Sequence, residues 1–491
     1  MSERNTRWLL AFGIAVLALA ASATSLRNGF AYDDIPIIVE NARVHSIAHL
    51  PALFTQSYWP PASGATLYRP LTMAVFTVAW TVGGGTPLVF HVLNVVLYIA
   101  VSLMVYALAG AILPRANAWG AAALYAVHPV HVEVTASCVG LSELLVALTT
   151  AGAVYLYLRA PTPVRARDML GIGALYAAGC LAKENAIVLP ALLVVAELTI
   201  ARRRPPLVMW TGLAVIAIAY LGVRVQFLGG VVGETPAITL GDASWPTRWW
   251  TMLGVVTEWV RLLIWPAHLA AMYSPPATPV RHGLDVTTAI GFVVLAGVAT
   301  LAVCARRRWP AVAFGLAWAG LALAPISNVI VRSGVLLAER TLFLPSIGVL
   351  IAIGAVTVSI PTRYRVGLRS ALAVVLLLAV WRSAIRAPVW RNNDVLFAAS
   401  VADEPGSYVA HYAYAGLLFN EGHPGAGEHE GREAIALYPD DPRPQAALAD
   451  VYAKDGHCDA AIVLAKSALA LTPPPLLAQH VLAKCLSRTG R

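Results

Sequence analysis

Residues 8–34 read WLLAFGIAVLALAASATSLRNGFAYDD. The first part, 8–26, carries no charge. At 1.5 Å per residue it reaches roughly the thickness of a ~30 Å hydrocarbon core. Arg4 and Arg7 precede it, and no good cleavage site follows. It therefore predicts a retained first membrane helix with the N-terminus in the cytoplasm. Asn28-Gly29-Phe30-Ala31-Tyr32-Asp33-Asp34 then emerges on the far side. Acids beside a bilayer are costly at depth, about 2.5–3.5 kcal/mol at the centre, and point to function. The alternative is a pair that turns and solvates a loop.

Working outward, the 491 residues are 58% hydrophobic and only 12% charged, with a mean hydropathy of +0.68. A soluble domain carries about 25% charged residues. The chain therefore predicts a polytopic membrane protein with a more ordinary C-terminal tail. The net charge of +9 resides in arginine clusters between apolar runs, which membrane topology explains without nucleic acid. Lys183 is the only lysine before Lys454. The five cysteines, at 138, 180, 304, 458 and 485, show no CxxC or zinc spacing. Cys458 and Cys485 share the tail, and the sequence leaves their pairing open.

Apolar runs at 8–26, 88–113, 119–130, 141–158, 168–182, 185–200, 207–228, 288–305, 310–329, 342–360 and 368–384 predict eleven crossings. The run 248–265 carries Arg248, Glu258 and Arg261 among many Trp. It is expected to be interfacial or re-entrant, so that the arginine clusters all face the cytoplasm. The C-terminus then lies on the side of Asp33 and Asp34.

Two hairpins are short. The runs 168–182 and 185–200 span only about 22–24 Å each and meet at Lys183-Glu184-Asn185. The run 119–130 ends at His128-Pro129-Val130-His131-Val132-Glu133. Both polar apices should sit below the outer surface. Non-helical backbone at that depth is tolerated where it lines a protein cavity. The expectation is one wet pocket shared by both turns and the Asp loop, the alternative being hairpins that distort the bilayer.

From Tyr408 the composition turns polar and alanine-rich. Ala434…Tyr438-Pro439 recurs as Ala468…Thr472-Pro473, 34 residues on, and Ala415, Leu418 and Gly422 align with Ala449, Tyr452 and Gly456. That is the tetratricopeptide period. The expected organisation is a membrane domain over 1–387 with its first outer loop at 27–87, a linker at 388–407 and repeats over 408–491.

The motifs form an ordered set: Phe30-Ala31-Tyr32-Asp33-Asp34; Tyr68-Arg69-Pro70-Leu71-Thr72; His128 to Glu133; Lys183-Glu184; Ala338-Glu339-Arg340-Thr341; Trp390…Leu396-Phe397; then the repeats. In this order the chain resembles the transmembrane-and-tetratricopeptide-repeat O-mannosyltransferases, and more broadly the GT-C class of membrane glycosyltransferases. The tail is shorter than in many animal members. The resemblance implies an all-α polytopic bundle with a C-terminal α-solenoid. It further implies a polyprenyl-phosphate sugar donor, typically of mannose, and a Ser or Thr hydroxyl acceptor on the non-cytoplasmic side. It matches the acids of the first outer loop to Asp33 and Asp34.

The residues support that chemistry. A carboxylate can take the acceptor proton, which is worth about 10²–10⁴-fold. Asp34 is assigned that task, with Asp33 orienting it or the sugar. The departing lipid phosphate needs fixed cations, for which Lys183, Arg340 and Arg69 are the candidates. His128, His131, Glu133, Glu184 and Glu339 are candidate substrate contacts. A divalent metal at the two histidines and Glu133 is an alternative without a recognised ligand spacing. Two rival readings are a lipid-linked-sugar flippase or transporter, and a non-catalytic scaffold displaying repeats. The membrane half shows no internal repeat of the transporter kind.

Overall fold

A computed structural model describes residues 2–230, 232, 239–241 and 243–489, apart from the Ala62 side chain. Part of the segment leading into the expected interfacial run 248–265 thus falls outside the described residues. Among the described residues there is no strand, only an isolated antiparallel bridge between Pro276 and Ser407.

The membrane half runs α1 (Glu3–Ser22), α2 (Pro70–Gly83), α3 (Pro87–Gly110), α4 (Arg115–Val127), α5 (Leu141–Arg159), α6 (Ala166–Ala182), α7 (Leu189–Ala196), α8 (Leu207–Leu228), α9 (Trp245–Ile264), α10 (Val286–Arg308), α11 (Pro310–Leu323), α12 (Phe343–Val358) and α13 (Arg365–Arg386). Prolines at the first turn of α2, α3 and α11 start helices where a missing N–H costs nothing. Asp285 and Thr288 form a capping box at the start of α10.

Among the described residues eight helical segments are long and apolar enough to cross a bilayer, which makes this an integral membrane protein. The other three expected crossings are short: α4 has 13 residues, α6 has 17 and α11 has 14. α9 is 20 residues long but is not one of the eight. Its apolar face packs Met252, Val255, Trp259 and Leu262 against Val130 and Leu337, while Glu258 and Arg261 pair at 2.7 Å on its half-exposed side.

One helix was not expected. α2 lies inside the first outer loop, where the sequence reading foresaw a loop alone. Its boundaries are locally encoded by Pro70 at its start and Gly84, in the left-handed region, at its end. At 14 residues it is too short to span and packs on α3 instead. Helices α11 and α12 touch backbone to backbone: a Cβ on Gly315 or on Gly348 would sit 2.3 Å from the other's carbonyl oxygen. Small residues at such a crossing let the helices pack by close contact, since lipid supplies no hydrophobic drive.

The tail follows a linker helix, α14 (Asn393–Asp403). It comprises α15 (Tyr408–Asn420), α16 (Pro424–Leu437), α17 (Pro442–Lys454), α18 (Cys458–Leu469) and α19 (Leu476–Thr489). The two hairpins start 34 residues apart, 408 to 442 and 424 to 458. Gly422 and Gly456, at equivalent places, have φ of 79° and 87°, the left-handed region that stops a helix at little cost with glycine. Cys458 and Cys485 are disulfide-bonded.

Candidate active site

The Asp turn is held by its surroundings. Asn28 Nδ2 donates to Ala387 O at 2.9 Å, and Gly29 N donates to Arg391 O at 2.8 Å. Asp34 N donates to Ala31 O at 3.1 Å, closing a tight turn around Tyr32 and Asp33. The two carboxylates part there. Asp33 lines a cavity of about 400 Å³. Asp34 is buried behind it and does not line that cavity. It accepts from Val139 N at 2.9 Å, Ser137 Oγ at 3.2 Å, Ala31 N at 3.2 Å and Cys138 N at 3.3 Å. Asp34 is therefore a clamp between the turn and the start of α5. Among the described residues the Asp33 carboxylate has no hydrogen bond or ion pair.

Burial raises both acids. Asp34 is pushed up to about 6, its backbone N–H bonds opposing the desolvation. Asp33 is raised by burial and by Glu133, against the pull of Arg340 and Arg69.

Three interruptions of helix surround Asp33. After α6 the chain turns extended at Lys183, and Gly179 permits the close return of Ala186. Thr72 Oγ1 donates to Ala182 O at 2.8 Å, tying the Tyr68-to-Thr72 motif to this joint. Glu133 lies in a short helix, Val132–Ala136, after α4. Glu339–Leu342 is a 3₁₀ turn before α12. Lys183, Glu184, Glu133, Arg340 and Arg69 all line the cavity with Asp33. The structure thus brings residues of both polar apices and of the Asp loop to one hollow.

Each cation there already has an acid. Arg69 grips Glu184 with two bonds, 2.5 and 3.0 Å, and its guanidinium lies 5.0 Å over the Tyr58 ring. Arg340 donates to Glu133 through its side chain and through its backbone N, the latter at 2.8 Å. Lys183 pairs with Glu143, a residue the sequence reading did not single out. Its sign was present: a single acid inside the apolar run 141–158, where an ionisable group is a functional candidate by default. Tyr32, a motif residue without an assigned role, and Tyr58 also line the cavity. Two further lining residues, Tyr408 and Arg443, come from the tail; Arg443 pairs with Asp441 at 2.7 Å.

Three candidates lie elsewhere. His128 bonds Leu263 O at 3.0 Å and accepts from Val130 N at 3.3 Å. His131 bridges Ser346 Oγ and Tyr98 OH at 2.9 and 3.1 Å. Glu339 accepts from Ala270 N at 2.7 Å and Tyr273 OH at 2.9 Å. All three are buried, none lines the cavity, and their polar atoms are used in holding loops. Among the described residues no group of three or more His, Cys, Asp or Glu side chains is placed to hold a metal.

The fold and the hollow together define an all-α integral membrane protein with a charged cavity built from three interrupted helical turns. A family profile described as dolichyl-phosphate-mannose-protein mannosyltransferase matches residues 69–223, which includes Arg69, Glu133, Glu143, Lys183 and Glu184. Protein O-mannosyl-transferase TMTC3 of Mus musculus is 26% identical over 79% of this chain and 46% of its own length. Protein O-mannosyl-transferase TMTC1 of Homo sapiens is 26% identical over 89% of this chain and 56% of its own. Protein O-mannosyl-transferase Tmtc1 of Drosophila melanogaster is 35% identical over a shorter stretch, 27% of this chain and 16% of its own. The resemblance read from the motifs agrees with these matches, which extend over 79% and 89% of this chain for the mouse and human relatives. The chain spans about half the length of the curated relatives it matches. No solved structure matches it at a significant level.

Proposed function

We propose that the chain is a membrane glycosyltransferase that moves a sugar, mannose by analogy with its relatives, from a polyprenyl-phosphate donor to a Ser or Thr hydroxyl of a protein. The observation that carries this is Asp33, a carboxylate without a hydrogen-bond partner among the described residues, in one cavity with Arg69, Lys183 and Arg340. Such a site needs a base for the acceptor and fixed positive charge for the leaving phosphate.

In this reading the roles of the two acids exchange relative to the sequence expectation. Asp33 is the base, because it faces the hollow; Asp34 holds the turn. The acceptor oxygen attacks the anomeric carbon and its proton passes to Asp33. The bond from that carbon to the phosphate oxygen breaks, and its electron pair leaves with the lipid phosphate. An in-line displacement inverts the anomeric centre. The leaving phosphate shares Arg69 and Lys183 with their glutamates. These cations are already oriented, so little reorganisation is needed as charge develops. The greasy donor enters from the outer leaflet while its head group reaches the charged hollow. The site, the linker and the helical repeats, read as tetratricopeptide units, face the non-cytoplasmic side. The tail disulfide supports that orientation, since such bonds persist in oxidising compartments.

The test is transfer in proteoliposomes from polyprenyl-phosphate mannose to Ser/Thr peptides, read by mass spectrometry. Asp33→Asn is expected to lose at least about 10²-fold in transfer with insertion intact. Normal transfer by that variant would remove the base assignment. Flipping of the labelled donor without any transfer by the unaltered chain would favour the transporter reading.

A further inference from the structure

Tyr32, immediately before Asp33, has a φ of 53°. A bulky side chain seldom occupies the left-handed region, and a residue held there is held by its surroundings. The restraint is visible. Tyr32 N donates to Asn393 Oδ1 at 2.7 Å, across 361 residues of sequence. The Tyr32 ring stands edge-on to Phe397, with centroids 6.1 Å apart. Both partners belong to α14, the linker helix. The same linker meets the turn again where Gly29 N donates to Arg391 O, and a Cβ on Gly29 would come within 3.0 Å of that oxygen. The left-handed residue sets the direction in which the chain enters the next two residues, of which Asp33 lines the cavity and Asp34 accepts from the N–H groups of Cys138 and Val139.

We propose that Asn393 is a positioning residue for Asp33: by accepting the Tyr32 N–H it keeps the turn that presents the carboxylate to the cavity. Asn393 does not line the cavity and touches no reacting group. It opens the helix that carries the tail, so the repeats and the catalytic turn are mechanically joined at this bond. The inference rests on the reading of Asp33 as the base.

The test uses the full chain in proteoliposomes with polyprenyl-phosphate mannose and a Ser/Thr peptide. Asn393→Ala is expected to lower kcat on the order of tenfold, the rough scale of a backbone strain no longer held. KM for the donor stays unchanged. Asn393→Asp, which keeps an acceptor oxygen at the same place, restores most of the rate. The decisive measurement is a cycle with Tyr32→Gly. Glycine adopts this φ without restraint, so Asn393→Ala should cost less than about twofold in that background. The acid limb of the kcat profile should also move down in pH in Asn393→Ala, as a loosened Asp33 gains water. Equal losses in both backgrounds, or a pH limb that stays in place, would overturn the proposal. If Asp33→Asn transfers normally, the base assignment fails instead. If Asp33→Asn is inactive and Asn393→Ala is unimpaired, only the positioning role fails.

Discussion

Asp33 and Asp34 are neighbours with opposite surroundings, and their titrations should be separable. The Asp34 carboxyl, near 6, binds its proton more tightly in the folded chain than an ordinary carboxyl does near 3.9. Its contribution to stability is therefore fully present below about pH 4 and is lost as pH rises through about 6. The thermal midpoint in detergent should fall over that window, by an amount equivalent to roughly 1–3 kcal/mol. Asp34→Asn should flatten the slope. It should also cost about 1–3 kcal/mol at neutral pH, because its amide nitrogen cannot accept from the Ala31 and Cys138 N–H groups. A slope unchanged in Asp34→Asn would assign it to another group. The pair was visible in the sequence as two acids leaving a membrane. Which one faces the cavity was not, because that depends on the left-handed Tyr32 and on Asn393, a partner 361 residues away.

At the scale of elements, the cavity is made by helices that stop early. The joint after α6 and the start of α5 are bridged by the buried Lys183–Glu143 pair. Removing one member of such a pair leaves the other charge buried without compensation, a cost of about 3–5 kcal/mol. Lys183→Met should therefore lower the thermal midpoint in detergent, and the double variant Lys183→Met, Glu143→Gln should recover much of it. Transfer should not recover, because the cation is gone. Recovered transfer in the double variant would make the pair structural only. The shortness of 168–182 was legible as a length deficit against the bilayer, and α6 has 17 residues; the run expected to be short after it, 185–200, instead lies in an 18-residue helical segment, Glu184–Ala201, long enough to cross. Glu143 stands out locally as the single acid of an apolar run, but its pairing with Lys183, 40 residues on, is written in no local pattern. The same limit explains His128, His131 and Glu339: polar residues at an apex look alike in sequence whether they face a hollow or bond a neighbouring loop.

For the whole molecule the remaining question is orientation. Reporter fusions after Arg167, Trp265 and Arg386 should lie in the cytoplasm, outside and outside. A cytoplasmic reporter after Trp265 would make α9 a true crossing and move the tail to the other face. The apolar runs, their arginine borders and the 34-residue repeat determined the helices nearly to their ends, because a bilayer leaves a backbone few choices beyond helix. The proline and glycine limits of α2 were equally local, though the loop around it hid them. Only the tertiary structure decided which acid meets the cations, that each cation arrives with its own glutamate, and that the tail supplies Tyr408 and Arg443 to the cavity wall. Hydropathy and helix length are properties of a segment with its solvent, and so are written in consecutive residues. The direction of a side chain in a buried turn is fixed by hydrogen bonds from distant segments, and no local pattern records it.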